Sequence, residues 1–511
     1  MRGVAQRVGT RPETAADPHE YAFLIGSLLD PATLQQAERE AVLSGVTTHA
    51  VLIASGCISQ PGYTAALAQA LGLEAALWGM VIDGSSTVLE EAAAVDGLPA
   101  LVRGRACRVL SATSTTPAEI GRHAARLRGQ GHAVVLAPQT TIDAAIEAHS
   151  RSEGITHAVR ALLSERPTIS AGARTWTWQI VFAAGVLGAT IGGVVVVPDA
   201  TIAALTGLIA LPFLCVTLLR LVALRQILRP SRSAARKSRM DVPQLSNDSL
   251  PVYSVLIPLL REANVLEELV RSLRALDYPA AKLDMMLVLE TGDAETQAAL
   301  LRIDLPGNFR TIIVPAQPPQ TKPKALNYAL QFARGEFVVV YDAEDRPEPG
   351  QLRRALEMFR GRGPDLVCVQ AQLNIYNPSR SWLTRQFTIE YSVLFDAILP
   401  ALERLRLPVP LGGTSNHFPR HALVEAGAWD PFNVTEDADL GIRLARQHLK
   451  TSVLASTTWE EAPVDFTTWL KQRTRWLKGW MQTSRLLSDF YFVFNFNVLR
   501  MRRGQRFAQM G

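Results

Sequence analysis

Two long apolar stretches in the middle of the chain constrain its fold more than any other feature. They run roughly from Trp176 to Val197 and from Ile202 to Leu224, and each has about the ~20 residues that a helix needs to cross the hydrocarbon layer of a membrane. Only Pro198-Asp199-Ala200-Thr201 separates them. The pair predicts a transmembrane helical hairpin over residues 175–225, with a buried helical pair in a water-soluble protein as the alternative.

The basic residues around the two stretches predict the orientation of the hairpin. Arg166 and Arg174 precede it, and seven Arg and Lys residues follow between positions 220 and 239. By the positive-inside rule, both ends of the hairpin face the cytoplasm. Residues 226–250, rich in Ser, Arg and Lys, predict a basic linker near anionic membrane lipids. We therefore expect a multi-pass protein of a bacterial-type inner membrane.

The composition argues against two other classes of protein. A net charge of +5 is small for 511 residues, so nothing indicates nucleic-acid binding. The four cysteines are scattered singly, which fits a reducing compartment better than a disulfide framework. No apolar leader precedes Tyr21, so we expect the N-terminus to stay in the cytoplasm.

Residues 1–20 predict a disordered tail, and residues 21–170 predict a small α/β domain. Asp30-Pro31 and Ser59-Gln60-Pro61 are typical helix starts. The segment from Ala50 to Leu73 resembles the helix-turn-helix portion of the N-terminal domain of type II secretion and pilus ATPases. Some members of that family bind cyclic di-GMP, but the basic residue usual at the start of their motif is absent here, since Thr48 and His49 precede Ala50. We therefore predict a structural or docking domain. The alternative, which the resemblance implies, is a regulatory domain that binds cyclic di-GMP.

The sequence after Val252 predicts a largely parallel sheet covered by helices on both faces, because short β-branched runs alternate there with amphipathic segments. The candidate strands are Tyr253 to Ile257, Met285 to Leu289, Thr311 to Val314, Phe337 to Tyr341 and Leu366 to Gln370. Ligands bind beyond the carboxyl ends of such strands. The polar residues that follow the strands are Pro258, Glu262, Glu290, Asp293 and the acidic segment 342–345.

The acidic segment Tyr341-Asp342-Ala343-Glu344-Asp345-Arg346-Pro347 places three carboxylates within four residues. Carboxylates this close repel one another without a cation, and hard oxygen ligands suit Mg²⁺ or Mn²⁺ carrying a diphosphate. Upstream, Lys322 and Lys324 open a helix, where ammonium groups and free backbone N–H groups suit phosphate oxygens. A solvated acidic loop and a solvated helix start are the alternatives.

Two later motifs also carry groups suited to chemistry. Thr435-Glu436-Asp437 begins an amphipathic segment, and a carboxylate there either takes a proton from an attacking hydroxyl or only stabilises the helix start. Gln472-Arg473-Thr474-Arg475-Trp476 offers a cation for a diphosphate and an aromatic platform for a sugar ring. An ordinary membrane-interface helix has a similar composition.

Taken in order, the acidic segment, Thr435-Glu436-Asp437 and Gln472-Arg473-Thr474-Arg475-Trp476 resemble the D,D,D,QxxRW signature of processive family 2 glycosyltransferases. This is the group of cellulose synthase and related exopolysaccharide synthases. The resemblance implies a GT-A fold over residues 251–485 and an inverting displacement with Mg²⁺ or Mn²⁺. In that reaction the hydroxyl of a growing polysaccharide attacks a UDP-sugar at the cytoplasmic face.

The resemblance also implies a role for each matching residue, with Asp437 as the catalytic base. The implied donor-binding residues are Pro258, Glu262, Glu290, Asp293, Lys322, Lys324, Asp342, Gln472, Arg475 and Trp476. The implied acceptor-binding residues are Gly413, Thr414 and Ser415 of the 412–417 loop, and Glu436; the implied metal ligands are Asp342, Glu344 and Asp345. Glu290 and Glu344 stand where many relatives have Asp, and both keep a carboxylate.

The C-terminal residues depart from this pattern. Processive relatives continue with several membrane helices that form the polymer channel, whereas residues 486–511 read as an atypical tail whose apolar part, 490–499, is too short to span. We therefore expect a truncated product or a partner subunit that supplies the channel. The alternative functions are a single-addition glycosyltransferase acting on a lipid or protein, and an inactive scaffold that senses a cyclic dinucleotide. A dehydrogenase is disfavoured, because no GxGxxG follows the first strand.

Overall fold

The computed structural model describes residues 20–83, 96–173, 177–228 and 245–507. The predicted tail at 1–20, apart from Glu20, and the central part of the predicted linker at 226–250 lie outside these described residues. The described chain forms a small N-terminal α/β domain, two long apolar helices and a larger α/β domain.

The N-terminal domain packs helices on a mixed five-stranded sheet. Its helices are α1 (Pro31–Ser44), α2 (Thr48–Ala54), α3 (Gln60–Leu71), α4 (Pro117–Gly129) and α5 (Gln139–Glu165). Its strands are β1 (Glu74–Ala75), β2 (Met80–Ile82), β3 (Leu98–Val102), β4 (Arg105–Ser111) and β5 (Val134–Ala137), in the spatial order β1-β5-β4-β3-β2. Asp30 caps α1 and Ser59 caps α3 with their side-chain oxygens, as predicted.

Two apolar helices follow, α6 (Thr177–Val196) and α7 (Pro198–Leu228). Both are long and apolar enough to cross a membrane, and the most apolar window of each buries none of its residues inside the protein. The predicted turn at 198–201 is wrong, because Pro198 is the first residue of α7, where its missing N–H costs no helical hydrogen bond. The chain reverses at Val197 instead, and α7 continues into the predicted linker.

The larger domain is built on a mixed eight-stranded sheet. Its strands are β6 (Tyr253–Leu259), β7 (Leu283–Glu290), β8 (Phe309–Val314), β9 (Phe337–Val340), β10 (Arg346–Pro347), β11 (Leu366–Ile375), β12 (Asn416–Pro419) and β13 (Lys450–Glu460), in the order β10-β13-β11-β12-β9-β6-β7-β8. Six strands run in one direction, whereas β10 and β12 run antiparallel to their neighbours. The sequence prediction found five of the parallel strands and missed β10, β12 and β13.

Helices cover both faces of this sheet. They are α8 (Leu266–Arg274), α9 (Ala294–Leu300), α10 (Lys322–Leu330), α11 (Gln351–Arg362), α12 (Trp382–Tyr391), α13 (Leu399–Arg404), α14 (Arg420–Glu425), α15 (Glu436–Arg446) and α16 (Phe466–Phe507), with a π-helical segment (Ser392–Ile398) joining α12 to α13. Helix α16 runs without interruption through the boundary predicted at residue 485.

The N-terminal domain and the large sheet share one hydrophobic core. A single cluster of buried side chains joins Ile146 and Ala158 of α5 to Met286 and Ile312 of the sheet. Helix α10 packs against both, and its Asn327 donates to the backbone oxygen of Ala158 at 3.1 Å. The N-terminal domain is therefore docked on the larger domain over an apolar surface.

Ion pairs at the rim of this core join the same two domains. Asp143 of α5 lies 4.0 Å from the Arg310 guanidinium and also pairs with Arg334. Gln331 of α10 donates to the backbone oxygen of Gly154 at 3.0 Å. Apolar burial alone does not fix the position of α5 along this surface. The polar contacts set its register.

Candidate active site

The carboxyl ends of the parallel strands meet at one edge of the sheet, where many of the predicted site residues gather. Strand β9 ends at Val340, immediately before the acidic segment, and β7 ends at Glu290. Helix α15 begins there with Glu436, and α10 begins with Lys322. Together they form an acidic cleft, which is the surface that the carboxylates around Lys322 make.

Lys322 is the cation around which the acidic cleft is arranged. Its ammonium donates to Asp342 and, at 2.7 Å, to the backbone oxygen of Gly413. Burial by itself lowers the pKa of a lysine, but the carboxylates of Asp342 and Glu436 raise the pKa of Lys322 above its ordinary value. The lysine therefore stays charged and ties the acidic segment to the 412–417 loop.

Asp345 shapes the acidic segment from inside. It is buried, and its Oδ2 accepts from the Asp342 N–H at 2.7 Å and from the Thr414 hydroxyl. Its Oδ1 has no hydrogen-bond partner among the described residues. Burial and the carboxylates of Glu460 and Asp342 raise the pKa of Asp345 well above its ordinary value. One of its oxygens is thus used for structure while the other is a buried acceptor without a donor.

Two neighbouring carboxylates at the start of α15 face the same cleft. A Cβ placed on Gly413 would lie 3.5 Å from the Asp437 Oδ2, so this carboxylate lies close to the backbone of the 412–417 loop. Burial raises the pKa of Asp437, and Lys322 and Arg475 partly offset that effect. Burial and the charge of Asp437 likewise raise the pKa of Glu436. Burial therefore favours the protonated form of both carboxylates, so each holds or takes a proton more readily than an ordinary carboxylate.

Glu460 is a site residue that the sequence prediction missed. It ends β13, and burial followed by the charges of Asp342 and Glu344 raises its pKa to about 8. The available signal was an acidic residue at a strand end. Because β13 itself was not predicted, the position of its end could not be recognised.

The cleft contains acidic oxygens but no complete metal cage. Among the residues that the structure describes, no three His, Cys, Asp or Glu side chains come together to hold a metal ion by themselves. The raised pKa values and the unpartnered oxygen of Asp345 nevertheless show a surplus of negative charge. The residues therefore fit a hard cation that takes its remaining oxygens from another ligand, such as a diphosphate.

Lys324 and Glu290 require a correction. Both are buried, and the Lys324 ammonium donates to the Glu290 carboxylate at 2.9 Å and to the backbone oxygen of Gln317 at 3.3 Å. Direct contact of Lys324 with a donor phosphate, as predicted, does not fit a side chain with 0% exposure. Because α10 turns its second lysine toward the sheet, Lys324 instead fixes the carboxylate at the end of β7.

Asp293, Glu262 and Pro258, which were also predicted to bind the donor, lie at the same edge, where the charge of Asp342 acts on Glu262. Asp293 caps α9 through the Thr296 N–H and also accepts from the Arg261 N–H at 2.5 Å. Burial opposes ionisation of Asp293, but these N–H groups outweigh it and lower its pKa. Glu262 and Pro258 are half-buried beside it. This group can present a carboxylate and backbone groups to a nucleoside.

The 412–417 loop reaches the cleft at one of its three predicted acceptor positions. Gly413 is exposed, whereas Thr414 and Ser415 are buried. Thr414 donates to the backbone oxygen of Val340 at 3.1 Å, and Ser415 donates to Thr458 at 2.7 Å. The side chains of Thr414 and Ser415 therefore hold the loop on the sheet and do not face an acceptor, contrary to the prediction.

The Gln472-to-Trp476 motif lies on α16 beside α12. Arg475 is exposed and acts electrostatically on Asp437, whereas Trp476 packs on Phe387 with ring centroids 6.2 Å apart. The Gln472 Oε1 is buried without a hydrogen-bond partner among the described residues. Arg473 pairs with Glu390 at 2.6 Å, and its guanidinium lies 4.6 Å from the centre of the Trp476 ring.

A glycine that follows the motif sets how closely α16 approaches the catalytic loop. A Cβ on Gly479 would lie 2.0 Å from the Thr435 Oγ1. Any larger residue at this position would push the helix away from Thr435, the residue before Glu436. Gly479 thus brings the Gln472-to-Trp476 motif and Asp437 into one site.

Comparison with known families identifies the larger domain. Residues 251–479 match the family described as Glycosyltransferase like family 2. The larger domain is therefore a family 2 glycosyltransferase domain, and the predicted GT-A fold and enzyme class are confirmed for this region. The match is to the general family, so the processive, cellulose-synthase-like type stays a prediction.

Individual relatives carry the same kind of name. A probable glycosyltransferase, YdaM, of Bacillus subtilis is 26% identical over 266 residues, which cover 48% of this chain and 63% of the relative. A poly-beta-1,6-N-acetyl-D-glucosamine synthase of Staphylococcus aureus is 26% identical over 258 residues, covering 50% and 60%. The chain thus spans less than two thirds of the length of these curated relatives.

Among solved structures, a mannosyltransferase from Pyrobaculum calidifontis, in complex with GDP-Man and Mn²⁺, is 21% identical over 52% of this chain and 76% of that chain. Its TM-score of 0.38 is too low for that structure to inform the site.

Proposed function

We propose that the protein is a membrane-bound inverting glycosyltransferase that moves a sugar from a UDP-sugar to a growing polysaccharide at the cytoplasmic face. The observation that carries this proposal is the acidic cleft, where Asp437, the acidic segment and Lys322 converge within a family 2 glycosyltransferase domain. A base, a cation-binding edge and a nucleoside-facing edge are the three components that such a transfer needs.

Asp437 is the proposed general base. Its carboxylate is half-buried, lies against Gly413 and has a raised pKa caused first by burial. A carboxylate with a raised pKa accepts a proton from an attacking hydroxyl more readily than an ordinary one. As the oxygen–carbon bond to the sugar forms and the bond to the diphosphate breaks, the hydroxyl proton passes to Asp437.

Asp342, Glu344 and Asp345 are the residues proposed to hold Mg²⁺ or Mn²⁺. When bound with the diphosphate, the cation would neutralise the charge of the departing nucleoside diphosphate. Lys322 is proposed to hold a phosphate oxygen from the other side, because its side chain is 27% exposed and its ammonium lies next to Asp342. Arg475 adds a second, exposed positive charge near Asp437.

Helices α6 and α7 are proposed to anchor the enzyme as a transmembrane hairpin. Their length, their apolar composition and the exposure of their most apolar windows support a lipid environment. The basic residues on both flanks support a cytoplasmic position for the N-terminal domain and the transferase domain alike. Donor sugars made in the cytoplasm would then reach the cleft directly.

The experiment that tests this function uses membranes containing the full chain. UDP release is measured from a panel that includes UDP-glucose and UDP-N-acetylglucosamine, with Mg²⁺ or Mn²⁺ and then with EDTA. We expect metal-dependent release from one donor, with an Asp437→Asn membrane preparation as the control. Release from no donor under any condition would reject the transferase function, and the length of the product separates a polymer from a single addition.

A further inference from the structure

The short turn between the N-terminal domain and the first apolar helix, residues 170–173, is held by the transferase domain. The buried Asp430 carboxylate accepts from the Ala171 N–H at 2.5 Å and from the Ser170 hydroxyl at 3.1 Å. Its Oδ1 also accepts from the Phe432 N–H at 3.1 Å. One carboxylate therefore binds the turn and, at the same time, fixes the start of the loop that leads to Asp437.

The fit between the turn and this loop is tight. A Cβ on Gly172 would lie 2.6 Å from the Phe432 ring. Ser170 and Asp430 both have 0% exposure. Ser170 anchors the partly exposed turn through a buried contact, and Gly172 leaves no room for a larger side chain against Phe432.

The loop continues from Phe432 to the catalytic helix under further contacts from α16. Gln482 donates to the Phe432 backbone oxygen at 3.1 Å and accepts from the Val434 N–H at 3.1 Å. Asn433 donates to the Thr483 hydroxyl at 3.1 Å. Helix α15, with Glu436 and Asp437, begins directly after this loop.

The turn also contacts α16 directly, so all three segments are in mutual contact. Arg485 donates to the backbone oxygens of Ala171 and Ala173 at 3.0 and 3.2 Å. The turn, the loop 430–435 and α16 therefore contact one another pairwise. Each of the three is held by the other two, so displacement of the turn moves both of the others.

We propose that Asp430 is a positioning residue for Asp437, and that the 170–173 turn sets the geometry of the transfer step. The proposal rests on the proposed function of Asp437 as base. Through this turn, the way in which the N-terminal domain and the first apolar helix are seated controls turnover without any contact with the donor. Asp293 and Asp342, which are proposed to hold the donor, lie on elements outside this arrangement, so donor binding should change less than turnover.

The test uses the full chain in membranes and the variant Gly172→Ala. We expect kcat to fall about tenfold or more, since a misplacement of roughly 1 Å costs about that much or more, while KM for the donor changes less than about twofold. Phe432→Leu makes room for the added methyl group. The double variant Gly172→Ala/Phe432→Leu should therefore recover most of the kcat lost in Gly172→Ala, with Phe432→Leu alone as its reference. Gly185→Ala, whose Cβ meets no atom within 4 Å in α6, is the matched control and should equal wild type.

A milder substitution and a measurement that does not depend on activity complete the test. Ser170→Ala removes one hydrogen bond to Asp430 and should lower kcat about twofold to fivefold. Backbone hydrogen exchange over residues 432–440 should rise in Gly172→Ala and not in Gly185→Ala. An unchanged kcat in Gly172→Ala, equal losses of kcat and donor affinity, or no recovery in the double variant would overturn the proposal. If wild type releases no UDP, the proposed function fails, and the exchange result alone decides whether the turn holds the loop.

Discussion

One carboxylate and a group of carboxylates at opposite ends of the strands of the same sheet have opposite surroundings. Near the start of β7, the buried Asp284 accepts from Arg310 at 2.7 and 3.0 Å, from the Ser254 hydroxyl at 2.6 Å and from the Arg334 N–H at 3.1 Å. Burial opposes its ionisation, but Arg310 outweighs that effect and lowers the pKa of Asp284. At the other end, Glu436, Asp437 and Glu460 share Lys322 and have raised pKa values.

The difference separates a structural carboxylate from a reactive one. Asp284 has a donor for each of its oxygens, so its charge is neutralised within the fold. The acidic cleft has more negative charge than its lysine can neutralise, and folding stability is lost in keeping it there. A surplus of this kind is expected where a cation or a proton is to be bound during function.

The largest expected effect comes from comparing two single substitutions, Asp437→Asn and Asp284→Asn. An amide at 437 cannot accept the proton, so UDP-sugar turnover should fall by about 10²–10⁴-fold while UDP binding and the melting temperature are retained. An amide at 284 removes the buried charge that Arg310 pairs with at 2.7 Å, while Arg310 keeps its contacts with Asp143 and the Phe332 backbone oxygen. This loss should lower the free energy of unfolding by about 3 kcal/mol. Wild-type turnover in Asp437→Asn would show that the base is another residue.

The two lysines of α10 offer a second test within one helical turn. Lys322→Met should lower turnover roughly tenfold or more and weaken UDP binding, because the cleft loses the ammonium beside Asp342. Lys324→Met should leave the buried Glu290 unpaired and lower the yield and stability of folded protein. Folded Lys324→Met with normal stability would show that Lys324 is not needed to neutralise the buried Glu290.

The smallest expected effect concerns the pH dependence of stability. The folded pKa of Glu460 is about 8, above its ordinary value of 4.5, so folding favours the protonated form. Its stabilising contribution is present at low pH and is lost as the pH rises through about 8, the opposite sign to Asp284, whose contribution is lost as the pH falls through its lowered pKa.

Glu460→Gln should therefore unfold at a temperature a few degrees higher than wild type near pH 9, and at a similar temperature near pH 5. Thermal unfolding without divalent cations measures this, with the exposed Glu267→Gln as a control. A wild-type pH profile of stability in Glu460→Gln would show that Glu460 is not one of the carboxylates whose charge the acidic cleft leaves unneutralised.

The sequence predicted the parts of the fold that depend on local pattern. Buried strands β6 to β9 and β11 were found from short apolar runs, and α1 and α3 from their capping residues. Strand β13 was missed because its 11 residues alternate buried and partly exposed positions with Ser and Thr, a weaker signal than an apolar run.

The roles of individual site residues were less accessible, because they depend on which way a helix faces. Lys322 and Lys324 are two residues apart, and no local rule tells which one faces the cleft and which faces the sheet. The burial of Thr414 and Ser415 depends on β12 pairing with β9, a non-local contact. The position of Asp430 under a turn 260 residues earlier in the chain has no sequence signal at all.

The core shared by α5, α10 and the large sheet has a consequence for how this protein is inherited. A chain that lost the whole N-terminal domain, through Glu165, would expose the apolar side of α10 and of strands β7 and β8 to water. The two domains are therefore not interchangeable parts, and substitutions in Ile146 or Ala158 are constrained by Met286 and Ile312 on a different domain. Descendants of this chain should keep or lose the pair together, and a transferase domain of this lineage found alone should carry polar residues on that face.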